Sequence, residues 1–198
     1  MKYHKNMEEL VTVHPDFIGF IFHEASPRNS TEVPTVKIPN TIQKTGVVVD
    51  KSFGFILEKI VAYQLNVIQL HGKESPEYCH KLKNLLAIKG LKIIKAFNIH
   101  AHFDFNVLKE YEPYCDYFLF DAFGKNAGGN GIPFKWQLLA HYHGTIPFLL
   151  SGGIDETMVN EIKKLDHPQF IGVDINSGFE TKPGLKNMDK IKQFKAQL

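Results

Sequence analysis

The chain has 198 residues, of which 43% are hydrophobic and 22% charged, with a formal net charge of +2. That is one ordinary globular domain over residues 1–198, with no charge block suited to nucleic acid and no apolar run long enough to span a bilayer. The N-terminus leads into an acidic amphipathic stretch without a signal-peptide core, so the expected compartment is the cytoplasm.

The elements alternate. A helix is predicted from about Met7 to Val13, followed by short apolar runs at Phe17–Phe22, Gly46–Val49, Val67–Leu70, Leu91–Phe97, Tyr117–Phe120, Ile146–Leu150 and Phe170–Ile175. These runs are continuous rather than alternating, as in strands buried on both faces of a parallel sheet. Helical spacing separates them. Phe55–Tyr63 carries an apolar stripe, and Pro76–Leu86 opens with Ser75 as N-cap and proline at the first helical position. A helix through Leu165 takes Asp155 as its cap, and a last one starts at Asn187 or Met188.

Strand alternating with helix implies βαβ units, either in an open doubly wound sheet or in a closed barrel. A dinucleotide-binding sheet needs GxGxxG after its first strand, which is absent; the glycines gather late instead. A phosphate-binding barrel grips its ligand in the loops after its last strands, so the expected architecture is α/β of the (β/α)8 TIM-barrel type. Only seven strands are found, and the chain opens with a helix.

Candidate chemistry sits at strand ends. Leu150–Ser151–Gly152–Gly153 and Gly172 to Gly178, with Asn176 and Ser177, either make tight turns or offer backbone donors to a phosphate. Asp121 closes an apolar strand and either caps a turn or points into the barrel mouth. His71 and Arg28 each read singly as structural or solvent-exposed; as members of a ring of polar strand ends they become site candidates. The glycine-rich segment from Ala122 to Pro133 has the composition of a mobile lid. Cys79 and Cys115 read as bland thiols, and His141 with His143 as a surface pair rather than a metal site.

The order of these motifs resembles phosphoribosylanthranilate isomerase. Asp16–Phe22 with Ser26–Pro27–Arg28 is similar to that family's second strand and loop, Ile68–Gly72 to its fourth strand and Ile94–Phe97 to its fifth. Asp121 with Gly128–Gly131 is similar to the sixth, and Leu150–Gly153 and Gly172–Glu180 with Pro183–Gly184 to the last two phosphate loops.

The resemblance implies an Amadori rearrangement of phosphoribosylanthranilate in tryptophan biosynthesis, with no cofactor and no metal. It casts Asp121 as general acid and Arg28 as holder of the anthranilate carboxylate. Gly152, Gly153, Asn176 and Ser177 become phosphate ligands, and His71 and Asp174 substrate-binding residues in the mouth. It also implies a first strand ending in a catalytic Cys-Gly, for which this sequence has no counterpart, since Met1–His4 matches what would follow it. The expectations are a seven-stranded barrel, impaired turnover in the chain as written, and possible homodimerisation through exposed strand edges. The alternatives are a non-catalytic phosphosugar-binding barrel and other phosphosugar barrels. Among the latter, indole-glycerol-phosphate synthase would need a second strand-end lysine beside Lys95, which reads as an interior barrel position. Triose-phosphate isomerase would need a late-strand glutamate, for which Glu180 is misplaced.

Overall fold

The apolar runs form seven strands in a computed structural model that describes residues 1–87, 90–121 and 136–198. They are β1 (Phe17–Ile21), β2 (Gln43–Val48), β3 (Val67–Leu70), β4 (Lys92–Asn98), β5 (Tyr117–Asp121), β6 (Phe148–Ser151) and β7 (Phe170–Val173). All pair in parallel, each with its neighbour in sequence. The order does not close: among the described strands β1 pairs only with β2, and β7 only with β6. The result is the expected barrel-type sheet with seven strands and an opening between its first and last.

Strand alternation divides the core in two. Val67, Ile94, Ala96, Leu119 and Leu149 form a small inner cluster on the concave face. The residues between them, such as Ile68, Ile93, Phe118, Phe120 and Phe148, face outward into a much larger cluster beneath the helices. Strands sealed on both sides have no polar face, which is why β3 and β6 are buried at every position.

The outer layer contains α1 (His4–Val11), α2 (Phe53–Tyr63), α3 (Pro76–Leu86), α4 (Val159–Lys163) and α5 (Met188–Gln197). The Ser75 side chain accepts from the Tyr78 amide at 3.2 Å and starts α3 where its Ser-Pro pair places it. Ser52 caps α2 in the same way, and Asn187 caps α5.

Three details differ from the sequence pattern. Helix α1 begins three residues early, at the polar His4, because tertiary bonds recruit that turn. Asn6 donates to the Lys186 carbonyl at 2.9 Å and accepts from the Lys186 amide at 2.7 Å, acting as a stand-in strand for the C-terminal segment. Strand β2 begins at Gln43, three residues before its apolar run, because pairing with β1 extends to Phe17↔Gln43. The helix expected through Leu165 is a 3-10 turn, Glu156–Met158, leading into the five-residue α4.

Between β4 and β5 there is a 3-10 turn, Phe105–Glu110, and before β6 another, Trp136–His141. Aromatic rings fill the layer there. Phe105, Phe120, Tyr142 and Phe148 pack tilted or edge to face, with ring centroids 4.7–6.3 Å apart. A short antiparallel hairpin, β8 (Glu180–Lys182) with β9 (Leu185–Lys186), follows β7 and has no counterpart in the sequence reading.

Candidate active site

The carboxyl ends of the strands carry the polar residues. In β5 the inward positions are Tyr117, Leu119 and Asp121, so the strand's last residue projects over the concave face. His71 follows β3 in the same phase as Val67 and Gln69. Its amide still bonds to the Val48 carbonyl at 2.8 Å, so strand pairing fixes its backbone. Gln69 Nε2 lies 3.1 Å from His71 Nδ1. With the amide donating there, the neutral ring carries its proton on Nε2, which is 3.5 Å from Asp121 Oδ2.

A bulge brings in the next carboxylate. Phe148 pairs with Phe170 but Leu149 with Gly172, which leaves Ile171 as an extra residue. The shift puts Gly172 opposite the inward Leu149 and carries Asp174, not Val173, inward beside Ser151. The Asp174 amide bonds to the Leu150 carbonyl at 2.8 Å. Burial pushes the Asp174 carboxyl up from the usual carboxylate range, helped by the Asp121 charge and opposed by Lys186, His71 and the Ser151 hydroxyl.

Two glycine loops flank this pair. Gly152 and Gly153 take φ of 93° and 68°, in the left-handed region that favours glycine. After them Ile154 returns to the core and Asp155 caps the following turn through the Thr157 amide at 2.8 Å. The loop after β7 runs through Asn176 and Ser177. Its Gly178 packs so closely that a Cβ there would collide with the Ile154 carbonyl, locking the two loops together.

Arg28 reaches the mouth from the loop after β1. Its Nε and Nη2 lie 2.8 and 2.7 Å from Glu180 Oε2. The other Glu180 oxygen accepts from the Gly184 amide at 3.1 Å and from Lys186 Nζ at 3.3 Å. Lys186 also donates to the Asn176 carbonyl and side-chain oxygen at 3.1 and 2.8 Å. Burial works against ionisation of Glu180, but the Arg28 hydrogen bonds and the Lys186 and Arg28 charges outweigh it and hold its carboxyl low. Burial lowers the Lys186 ammonium, with Glu180 and Asp174 opposing the shift.

One cavity of about 980 Å³ runs along the opening between β1 and β7 and includes this mouth. Asp121, His71, Arg28 and Asp174 all line it, as do Gly152, Gly153, Asn176 and Ser177. A carboxylate beside an imidazole, paired glycine loops and a guanidinium around one space suit proton transfer to a small anionic ligand. Residues 1–197 match the family described as N-(5'phosphoribosyl)anthranilate (PRA) isomerase.

The chain belongs to the PRA isomerase family.

A relative, the N-(5'-phosphoribosyl)anthranilate isomerase of Parabacteroides distasonis, is 42% identical over 203 residues, covering 100% of this chain and 90% of that protein. The crystal structure of monomers generated from the dimeric Thermotoga maritima isomerase is similar, with a TM-score of 0.77 and 25% identity, covering 100% of this chain and 94% of that one. A PRA isomerase in complex with reduced 1-(o-carboxyphenylamino)-1-deoxyribulose 5-phosphate gives a TM-score of 0.74 at 25% identity, covering 98% of this chain and 92% of that one.

The sequence reading singled out neither Gln69 nor Lys186, and it named Ser151 and Glu180 only as members of the late loops, without a role for either side chain. Gln69 sits two residues before His71 in strand phase, a signal that was available. Lys186 gave none, because only the hairpin turns it back into the mouth. Lys95, read as an interior position, faces the outer layer instead. Its ammonium donates to Glu74 Oε2 at 3.1 Å and to the Gly72 carbonyl at 2.8 Å, since β4 alternation puts it in phase with Ile93 and not Ile94.

Neither Cys79 nor Cys115 lines the cavity; both are buried in the outer cluster. His141 and His143 are exposed, flanking the buried Tyr142. Among the described residues no group of three or more His, Cys, Asp or Glu is placed to hold a metal, and no helix is long and apolar enough to cross a membrane. The lid expected at Ala122–Pro133 lies outside the described residues.

Proposed function

We propose that this chain binds N-(5-phosphoribosyl)anthranilate in the mouth and carries the residues for its Amadori rearrangement in cytoplasmic tryptophan biosynthesis. Asp121 protonates the ribose ring oxygen as the bond from that oxygen to C1 breaks, leaving an iminium between the anthranilate nitrogen and C1. Loss of the C2 proton gives an enolamine, which tautomerises to the 1-amino-1-deoxyketose; nothing is gained or lost overall. His71 Nε2 steadies the Asp121 carboxylate once its proton has gone. Arg28 holds the anthranilate carboxylate, and Gly152, Gly153, Asn176 and Ser177 hold the phosphate at the opposite wall. Asp174 lines the mouth between them.

The observation that carries this reading is the 3.5 Å approach of His71 to Asp121 in the same cavity as both glycine loops. The C2 proton needs a base, and the buried positions of Cys79 and Cys115 in the outer layer keep both thiols from that role. A family-like first strand, laid in the opening between β1 and β7, would bring the family's cysteine to the mouth. A homodimer through the β1 and β7 edges is the alternative cover for that opening.

Two measurements test the reading. The first is titration of reduced 1-(o-carboxyphenylamino)-1-deoxyribulose 5-phosphate into this chain, where saturable one-site binding is expected. The second is isomerase turnover with Asp121→Asn, made in a chain preceded by the family-like strand. Loss of turnover with retained binding supports the assignment; undiminished turnover removes Asp121 from the chemistry.

A further inference from the structure

Glu180 has the burial of a core residue and the hydrogen bonds of a hub. Its side chain is 4% exposed, yet both oxygens are engaged, by donors of three residues from two separate segments. One oxygen takes Arg28 Nε and Nη2, from the loop after β1. The other takes the Gly184 amide of the hairpin turn and the Lys186 ammonium. Lys186 in turn holds Asn176, in the loop after β7, through both its carbonyl and its side chain. A continuous line of charge-assisted bonds therefore runs from Arg28 through Glu180 and Lys186 to Asn176.

The line joins the two ends of the mouth. A guanidinium has five N–H donors in a rigid plane. Glu180 engages two of them along the Nε edge, which leaves the Nη1–Nη2 edge as the fork that matches a second carboxylate. Holding the plane by one edge fixes where the other edge points. An arginine without that anchor would sample many rotamers, and a ligand would have to order it at an entropic cost. Lys186 is tethered by the same carboxylate, so the guanidinium fork and the Asn176 loop are held at one separation.

We propose that Glu180 is a positioning residue that makes the site selective for ligands carrying a carboxylate at the Arg28 end and a phosphate at the Asn176 end. It touches neither anion itself. This deepens the proposed function and rests on Arg28 and the glycine loops binding as assigned there. A merely structural Glu180 would weaken all ligands alike, or only stability; a positioning Glu180 is felt chiefly through the carboxylate, because Lys186 keeps its own two bonds to Asn176 and a glutamine still offers it an acceptor oxygen.

The test is calorimetric titration of two ligands into this chain and into its E180Q variant. One ligand is reduced 1-(o-carboxyphenylamino)-1-deoxyribulose 5-phosphate; the other is the same molecule without the ring carboxylate. The unaltered chain is expected to prefer the first, and E180Q to lose about tenfold or more of that preference while binding the second within roughly twofold of the parent. An undiminished preference in E180Q overturns the proposal, as does equal weakening of both ligands. If the unaltered chain shows no preference, the assignment of Arg28 to the carboxylate fails instead, and that failure is seen without any variant. Should E180Q lose its cooperative thermal transition, E180D replaces it. Drawing the carboxylate back by one methylene is expected to cost the preference, and an unchanged preference in E180D overturns the proposal equally.

Discussion

His71 Nε2 stands 3.5 Å from Asp121 Oδ2, and the two side chains come from strands that are not neighbours, β3 and β5. The contact spans β4 and exists only because the sheet is curled. Its imidazole is oriented from behind by Gln69. Replacing His71 by Ala in a turnover-competent chain is expected to lower kcat by about one to two orders of magnitude, less than the ~10²–10⁴ expected for loss of the acid in Asp121→Asn. Steady-state kinetics on both variants check the order, and an H71A effect larger than that of D121N would reverse the two roles.

The buried Glu74–Lys95 pair supports the same loop from the other side of the sheet. Glu74 accepts from the Gly72 and Asp50 amides, while Lys95 donates to the Gly72 carbonyl. With side chains 1% and 3% exposed, removal of either partner strands a buried charge. Lys95→Met is expected to cost about 3–5 kcal/mol, and the double change Glu74→Leu with Lys95→Met less than the single one. Urea unfolding of the three proteins reads the difference.

Asp174 makes stability depend on pH. Its carboxyl is raised on folding, so the folded chain holds that proton more tightly than the unfolded one. The associated stability is complete below the ordinary carboxylate pKa and is lost as pH rises through the higher, folded value. Asp174→Asn removes the titration. The variant should therefore gain on the parent as pH increases from about 3 towards neutrality. Thermal midpoints measured across that range should converge at the acid end, and a gap that widens towards acid would contradict the assignment.

Asn6 substitutes for backbone. Its amide takes both hydrogen-bonding groups of Lys186. Asn6→Ala leaves those part-buried groups unpaired, at a cost of about 1 kcal/mol. Because Lys186 holds Asn176, binding of inorganic phosphate should weaken as well. Unfolding curves and phosphate titration separate the two effects.

Isomerase turnover is expected to be higher in a chain with a family-like first strand added ahead of Met1 than in the 198-residue chain. A coupled assay on both forms decides it. Equal turnover would mean that a base other than the family's cysteine operates in the mouth.

Much of this was legible in the sequence. Continuous apolar runs gave all seven sheet strands, and the Ser75–Pro76 pair gave the start of α3, because those signals are local. Strand ends, together with the family resemblance that added Asp174, gave the eight candidate positions that line the cavity. The hub at Glu180 was not legible, since its bonds reach 152 residues back to Arg28 and depend on a hairpin of polar residues without a β pattern. The inner placement of Asp174 depends on a bulge at Ile171 that no composition signals. Lys95 was assigned to the wrong face because a lysine inside an apolar strand reads alike whichever way it points.

The Asn6–Lys186 clasp has a consequence for biosynthesis. The strands of the sheet pair with sequence neighbours and can assemble as they emerge, but the clasp bridges 180 residues. Arg28 is made early and its anchor Glu180 late, so a growing chain holds an unanchored guanidinium until almost the whole of it has been synthesised. Discrimination in favour of the carboxylate is then completed only at the end of translation, and chains truncated before residue 180 should no longer prefer the carboxylate-bearing ligand.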